Sequence, residues 1–156
     1  MSETVTRYAA DENAMLALGA AVGALTGGVG TLYLRGDLGM GKTTFSRGLL
    51  RGLGHTGSVK SPTFTIVEPY EIGEMRVFHF DLYRLIDPEE LEFFGIRDYL
   101  HADTLCLIEW PERGAGVLPA PDLAISIDVQ GEGRVLRFEP HSARARVWCD
   151  RLNEGV

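Results

Sequence analysis

Cysteine is scarce in this chain. Cys106 and Cys149 are the only two, and neither lies in a C-x-x-C. Cys106 sits in an apolar run and reads as a buried thiol, so a reducing compartment suits the chain. Positive charge is short as well. The formal net charge is −7, which argues against a chain that grips nucleic acid unaided, because phosphate binding needs a basic face. A local basic patch stays open, and DNA is not an expected partner. No apolar run approaches the roughly 20 residues that span a bilayer. Met1-Ser2-Glu3-Thr4 carry no basic segment leading into an apolar one, so no membrane contact and no signal peptide are expected, and the cytoplasm is the default location. Asparagine is nearly absent. Asn13 and Asn153 are not followed by lysine, so the guanine-reading N-K-x-D is missing and a GTPase of the common type is disfavoured. An L-S-G-G-Q stretch of the ABC type is missing too, as are internal repeats, low-complexity segments and interdomain linkers.

What is present fits one domain over 1–156: at 45% hydrophobic and 24% charged residues the chain has enough apolar material for a core. Its organising stretch is Gly36-Asp37-Leu38-Gly39-Met40-Gly41-Lys42-Thr43, which reads G-x-x-x-x-G-K-T. The residues Thr31–Arg35 before it read as a buried strand, and Thr44–Gly52 after it as a helix. This order is what phosphate binding requires. Glycines let the backbone curl so that its N–H groups converge on phosphate oxygens, and the following helix adds free N–H groups and the positive end of its dipole. Lys42 then reaches the β- and γ-phosphates and the Thr43 hydroxyl ligates Mg²⁺. The competing reading is a glycine-rich turn that fits the pattern by chance.

Along the rest of the chain, Met15, Leu18, Val22 and Leu25 share one face of a helix over Asp11–Leu25, with Asp11 as N-cap and Gly27-Gly28 as the stop. In the helix after the P-loop, Phe45, Leu49 and Leu53 share a face and Gly54 ends it. Thr63–Val67 and Arg76–Phe80 are β-branched and aromatic, and Gly73 between them predicts a hairpin. Asp87-Pro88-Glu89-Glu90 opens a short helix as a capping box, with Leu91, Phe94 and Phe93 on its apolar side. Ile96–Leu100 adds a helical turn. Thr104–Ile108 is a continuous apolar run, the mark of a central parallel strand. After a Gly- and Pro-punctuated loop over 114–121, Leu123–Val129 and Arg134–Phe138 pair about Gly131-Glu132-Gly133. Ser142–Leu152 closes the chain as a helix with Val147 and Trp148 toward the core. The predicted fold is α/β: a P-loop NTPase domain whose mixed sheet has a parallel nucleotide-binding centre, antiparallel hairpins and flanking helices.

A P-loop needs a second, acidic anchor at the end of a neighbouring strand. Glu109, directly after the apolar run, meets that description; most P-loop enzymes place Asp there. Its longer arm binds metal directly, binds it through water, or acts as base; otherwise it is a surface carboxylate. Asp81 ends another strand and is the second acid, either orienting water or holding Mg²⁺ through water, unless it only caps a turn. Trp110 either stacks on a base, walls the nucleotide pocket, or packs in the core. Ser61-Pro62-Thr63 is placed where a switch would sense a γ-phosphate. His79 alternates with Asp81 and reads as a packing residue.

These blocks converge on one family. The stretch 36–44, Ser61-Pro62-Thr63-Phe64-Thr65, His79-Phe80-Asp81-Leu82-Tyr83-Arg84-Leu85, Asp87-Pro88-Glu89-Glu90-Leu91-Glu92 with Gly95-Ile96-Arg97-Asp98-Tyr99, and Ile108-Glu109-Trp110-Pro111 together resemble the TsaE (YjeE) family. The resemblance runs from the first helix to about Pro119 and rests on the joint H-F-D-L-Y-R-L and I-E-W-P blocks. It implies a Mg²⁺-dependent, slow ATP hydrolase. Such proteins support the TsaD–TsaB transferase pair in threonylcarbamoyladenosine modification of tRNA beside the anticodon, with tRNA contacted mainly through the partners. By resemblance, Gly36 to Thr44 bind ATP, and Lys42 and Thr43 hold phosphate and Mg²⁺. Glu109 is then the metal-binding acid, Asp81 the other acidic active-site residue, and Trp110 the nucleotide-site tryptophan. Asp11 near the nucleotide and Arg134 after the hairpin turn are further carry-overs. Two other readings compete. One is a small-molecule kinase, with Arg84, Arg97 or Arg113 as lid arginines; the other is a nucleotide-gated binding module.

Overall fold

The computed structural model describes residues 4–62 and 64–154. Seven strands and four helices follow in the order β1 (Val5–Ala9), α1 (Glu12–Thr26), β2 (Gly30–Arg35), α2 (Lys42–Gly52), β3 (Val67–Ile72), β4 (Met75–Asp81), α3 (Glu90–Phe93), β5 (Thr104–Glu109), β6 (Leu123–Gln130), β7 (Gly133–Pro140) and α4 (Ala143–Asn153). Short 3₁₀ turns occupy Ile96–Asp98 and Pro111–Gly114. The strands form one sheet in the order β1-β7-β6-β2-β5-β4-β3. Strand β5 is parallel to β2 on one side and to β4 on the other, and β2 is parallel to β6. Antiparallel pairs finish both margins: β3 on β4, and β7 between β6 and β1. All six residues of β5 are buried, as the unbroken apolar run requires of a strand paired on both sides and covered on both faces.

Side chains alternate across the sheet. One face sets Leu32, Leu34, Leu105 and Leu107 against Met15, Val22, Phe45 and Leu49 of α1 and α2 and Trp148 of α4. The other sets Tyr33, Phe80, Cys106 and Ile108 against Leu82, Leu91 and Ile96. Helices α1 and α2 meet without a side-chain layer. A Cβ on Gly48 would fall 2.3 Å from Leu16 O, one on Gly52 2.2 Å from Ala20 O, and one on Gly19 or Gly23 2.3 Å from Phe45 O or Leu49 O. The spacing Gly19-x-x-x-Gly23 against Gly48-x-x-x-Gly52 therefore brings the two backbones into contact.

Caps lie where the sequence predicts them. Asp11 accepts from Ala14 N at 2.8 Å, and Gly27 takes the left-handed C-cap at φ 64°. Glu90 Oε2 accepts from Asp87 N at 2.9 Å, completing the capping box although regular helix begins only at Glu90. Four expectations need correction. The first hairpin strand is Val67–Ile72 rather than Thr63–Val67: Phe64 and Thr65 lie in a turn, Ile66 takes a left-handed φ of 69°, and Thr63 lies outside the described residues. Strand β3 instead includes Pro69, which a strand at the sheet margin accommodates. Phe93 is 89% exposed and Phe94 is also exposed, because a single helical turn can bury only Leu91. Val147 is exposed while Trp148 and Cys149 are buried; neighbours on a helix stand about 100° apart, and the buried stripe is Ala145, Trp148, Cys149 and Leu152. The P-loop helix starts at Lys42 rather than Thr44. Strand β1, not anticipated, pairs antiparallel with β7 at the other margin. Among the described residues no helix is long and apolar enough to cross a membrane.

Both thiols are buried. Burial pushes Cys106 up to about 12 and Cys149 up to about 11, from an ordinary 9.0. A raised thiol contributes stability in full below pH 9.0, and that contribution is lost as pH climbs through about 12 for Cys106 and about 11 for Cys149. At pH 8 the folded chain is accordingly expected to resist alkylation at both positions and to react at both in urea. Rapid labelling of the native protein, read by mass, would contradict this burial.

Candidate nucleotide site

Parallel strands end on the same edge of a sheet, and ligands collect there. In register, Leu34 of β2 stands beside Glu109 of β5, and Glu109 beside Asp81 of β4. The loop that leaves β2 turns at once, Met40 N donating to Asp37 O at 3.3 Å. Gly39 and Gly41 hold φ values of 82° and 102°, backbone that any side chain would strain. Gly41 then caps α2, and Phe45 N donates to Gly41 O at 2.9 Å. Thr43 and Thr44 thus fall in the first turn of α2, where backbone N–H groups lack intrahelical acceptors and the dipole is positive.

Two cavities flank this loop and share Gly39 and Gly41. The first, about 320 Å³, is lined further by Leu38, Lys42, Thr43, Ser61, Asp81, Glu109 and Trp110. The second, about 210 Å³, lies on the α1 side and is lined by Asp11, Met15, Met40, Thr44 and Arg134 among others. Gly36 and Asp37 line neither; they carry the chain from β2 into the loop, and Gly36 O accepts from Lys42 Nζ. Arg134 reaches back over the loop, its guanidinium donating to Gly39 O at 3.5 Å.

In the first cavity, the Lys42 ammonium stands 4.0 Å from the centre of the Trp110 ring. Burial pulls its pKa down, and the charges of Glu109, Asp81, Glu112 and Asp37 push it back up. Asp81 is buried, and its Oδ1 accepts from Tyr83 N at 3.0 Å. Its own N–H donates to Ile66 O at 2.9 Å, which ties β4 to the stretch following Ser61. Trp110 has a left-handed φ of 55° and packs 4.9 Å from Tyr83. The tryptophan therefore walls the first cavity against Lys42, away from the cavity that holds Asp11 and Arg134. The three arginines of the kinase reading do not line either cavity: Arg84 lies over Phe64, Arg113 over Tyr83, and Arg97 pairs with Glu92.

Glu109 has a partner that the strand pattern alone does not reveal. His79 Nε2 lies 2.6 Å from Glu109 Oε2, and both side chains are buried. The available signal is topological. His79 and Asp81 alternate onto one face of β4, and the Asp81–Glu109 register of parallel β4 and β5 puts all three on that face. A lone histidine thirty residues upstream of the acid offers no local hint of this.

The donor set of the first cavity suits Mg²⁺. A threonine hydroxyl and two carboxylates offer oxygen only, and phosphate and water complete the shell of a nucleotide-bound Mg²⁺. Among the described residues no group of three or more His, Cys, Asp or Glu could hold a metal by itself.

Comparison with known proteins follows the same lines. The family model of the threonylcarbamoyl adenosine biosynthesis protein TsaE matches residues 9–136. The tRNA threonylcarbamoyladenosine biosynthesis protein TsaE of Haemophilus influenzae is 51% identical over 137 residues, covering 85% of this chain and 87% of that protein. The Bacillus subtilis protein of the same name is 41% identical over 78% of this chain and 77% of its own length. A crystal structure of Bacillus subtilis YdiB superposes with a TM-score of 0.84 at 29% identity, covering 99% of this chain and 97% of that one.

Proposed function

Because the chain belongs to the TsaE family of threonylcarbamoyl adenosine biosynthesis proteins, we propose that it is a Mg²⁺-dependent ATP hydrolase, one domain over 1–156. It serves tRNA threonylcarbamoyladenosine formation by acting on a TsaD–TsaB-like pair. The observation that carries the reading is the convergence of Lys42, Thr43, Asp81 and Glu109 on one cavity beside the P-loop. The loop N–H groups and Lys42 bind the phosphates. Thr43 and Glu109 hold Mg²⁺, which when bound neutralises charge on the phosphate oxygens. Asp81 orients the attacking water, acting mainly in the transition state. Trp110 walls the phosphate end, and Asp11 and Arg134 border the nucleotide at the second cavity. A net charge of −7 supports a division of labour in which the partners make most of the tRNA contact.

The chain alone is expected to hydrolyse ATP slowly and to associate with the purified pair in ATP rather than ADP, with faster phosphate release on association. Light scattering and phosphate release on the same samples check this. A phosphorylated acceptor would favour a small-molecule kinase, and association without any turnover would favour a nucleotide-gated binding module. Association indifferent to the nucleotide, with turnover unchanged, would reject the ATP-gated mechanism.

A further inference from the structure

Glu109 is a buried carboxylate that lines the cavity beside the P-loop, and such a group needs its hydrogen bonds fixed. Among the described residues His79 is the side chain that bonds to it, Nε2 to Oε2 at 2.6 Å. The other ring nitrogen, Nδ1, is buried with no partner among the described residues. A buried N–H at Nδ1 would be an orphaned donor, so the proton belongs on Nε2, and the histidine donates to the carboxylate. We propose that His79 is a positioning residue: its Nε2–H fixes Glu109 Oε2 and leaves Oε1 as the oxygen available to the cavity that Glu109 lines. This rests on the reading above, in which Glu109 serves phosphate-bound Mg²⁺.

Strand geometry makes the arrangement specific. His79 pairs with Leu107 and Asp81 with Glu109, so His79 is the diagonal same-face neighbour of Glu109, within reach of a long side chain. Outer-sphere partners of this kind fix a ligand's direction, and their loss costs about 10- to 100-fold in metal affinity or activity. A histidine that served only as core filler would instead change stability and leave the metal dependence alone.

The test compares wild type, His79→Leu, His79→Gln, Glu109→Gln and the double variant His79→Leu/Glu109→Gln. Each is assayed for melting temperature, ATP affinity by calorimetry with and without Mg²⁺, and kcat and KM for ATP across a Mg²⁺ titration. His79→Leu is expected to lower kcat about tenfold or more and to shrink the gain in ATP affinity that Mg²⁺ confers. Metal-free ATP affinity should change little, whereas KM for ATP at saturating Mg²⁺ should rise in step with the lost Mg²⁺-linked affinity. His79→Gln, which keeps an N–H at similar reach, should recover most of the loss. In the Glu109→Gln background, His79→Leu should add little, because the carboxylate that His79 positions is already gone. If Glu109→Gln is crippled while His79→Leu keeps wild-type kcat and Mg²⁺ linkage, or if the two losses multiply fully, the positioning role is wrong. If Glu109→Gln itself matches wild type, the assignment of Glu109 falls and the role of His79 with it. Should His79→Leu not fold, His79→Asn, too short to reach Oε2, takes its place under the same criteria.

Discussion

Lys42→Ala is expected to yield a folded protein that no longer holds ATP tightly. In the ligand-free chain the ammonium is satisfied by Gly36 O and the Trp110 face, and burial works against its charge. Removing it costs the fold little. With a triphosphate present the balance reverses, because the cation then meets phosphate oxygens instead of a single carbonyl and a ring face. A charge-assisted contact of this kind is worth roughly 1.5–3 kcal/mol, about ten- to a hundredfold in affinity. Calorimetry with ATP and a thermal melt on the same sample separate the two effects. Lys42→Arg is the useful control: it keeps the charge but replaces a compact ammonium by a planar fork, and should recover only part of the affinity. Unchanged ATP affinity in a folded Lys42→Ala protein would sink the assignment of the loop.

Gly48→Val should destabilise the whole molecule. A Cβ there lands 2.3 Å from the carbonyl oxygen of Leu16, whereas ordinary contact begins at 3.4 Å. A main-chain oxygen cannot rotate aside, so α1 and α2 must separate. Overpacking costs about 1–3 kcal/mol, and occasionally more. For a domain of this size, about 3 kcal/mol lowers the melting temperature by roughly 6–12 °C. The sharper test is Gly48→Ala. In an ordinary helix interior it would stabilise by about 1 kcal/mol, yet here the same 2.3 Å approach reverses the sign. A rise in melting temperature for Gly48→Ala would show that the helices are not in backbone contact.

Features set by adjacent residues are legible in the sequence alone. The P-loop, the Asp11 cap, the capping box at Asp87–Glu90 and the apolar run of β5 each need only a few consecutive residues. Features decided by distant partners are not legible in this way. Thr63–Val67 has the composition of a strand, but the pairing partner of β4 is the next segment, Pro69 included, which the margin of the sheet tolerates. Strand β1 is short and only its ends are buried, so it carries no pattern of its own; the edge of β7 recruits it. His79 belongs to the same class, since its meaning depends on a carboxylate in another strand. Asp11 and Arg134 lie far apart in sequence and come to one cavity only because α1 and the β6–β7 turn both border the loop.

The glycine seam between α1 and α2 also acts as a gauge. Asp11 stands at the start of one helix and Lys42 at the start of the other, and the gap between the helices is set by carbonyl oxygens resting on glycine carbons. Main-chain contact has almost no compliance, whereas a layer of leucines could adjust by changing rotamers. The spacing of the two helix starts is therefore a property of the backbone. Substitutions that trim the Leu18 or Leu50 side chain can loosen the core while leaving that spacing nearly constant. The placement of Asp11 relative to Lys42 is insulated from the volume changes to which a packed interior is otherwise exposed.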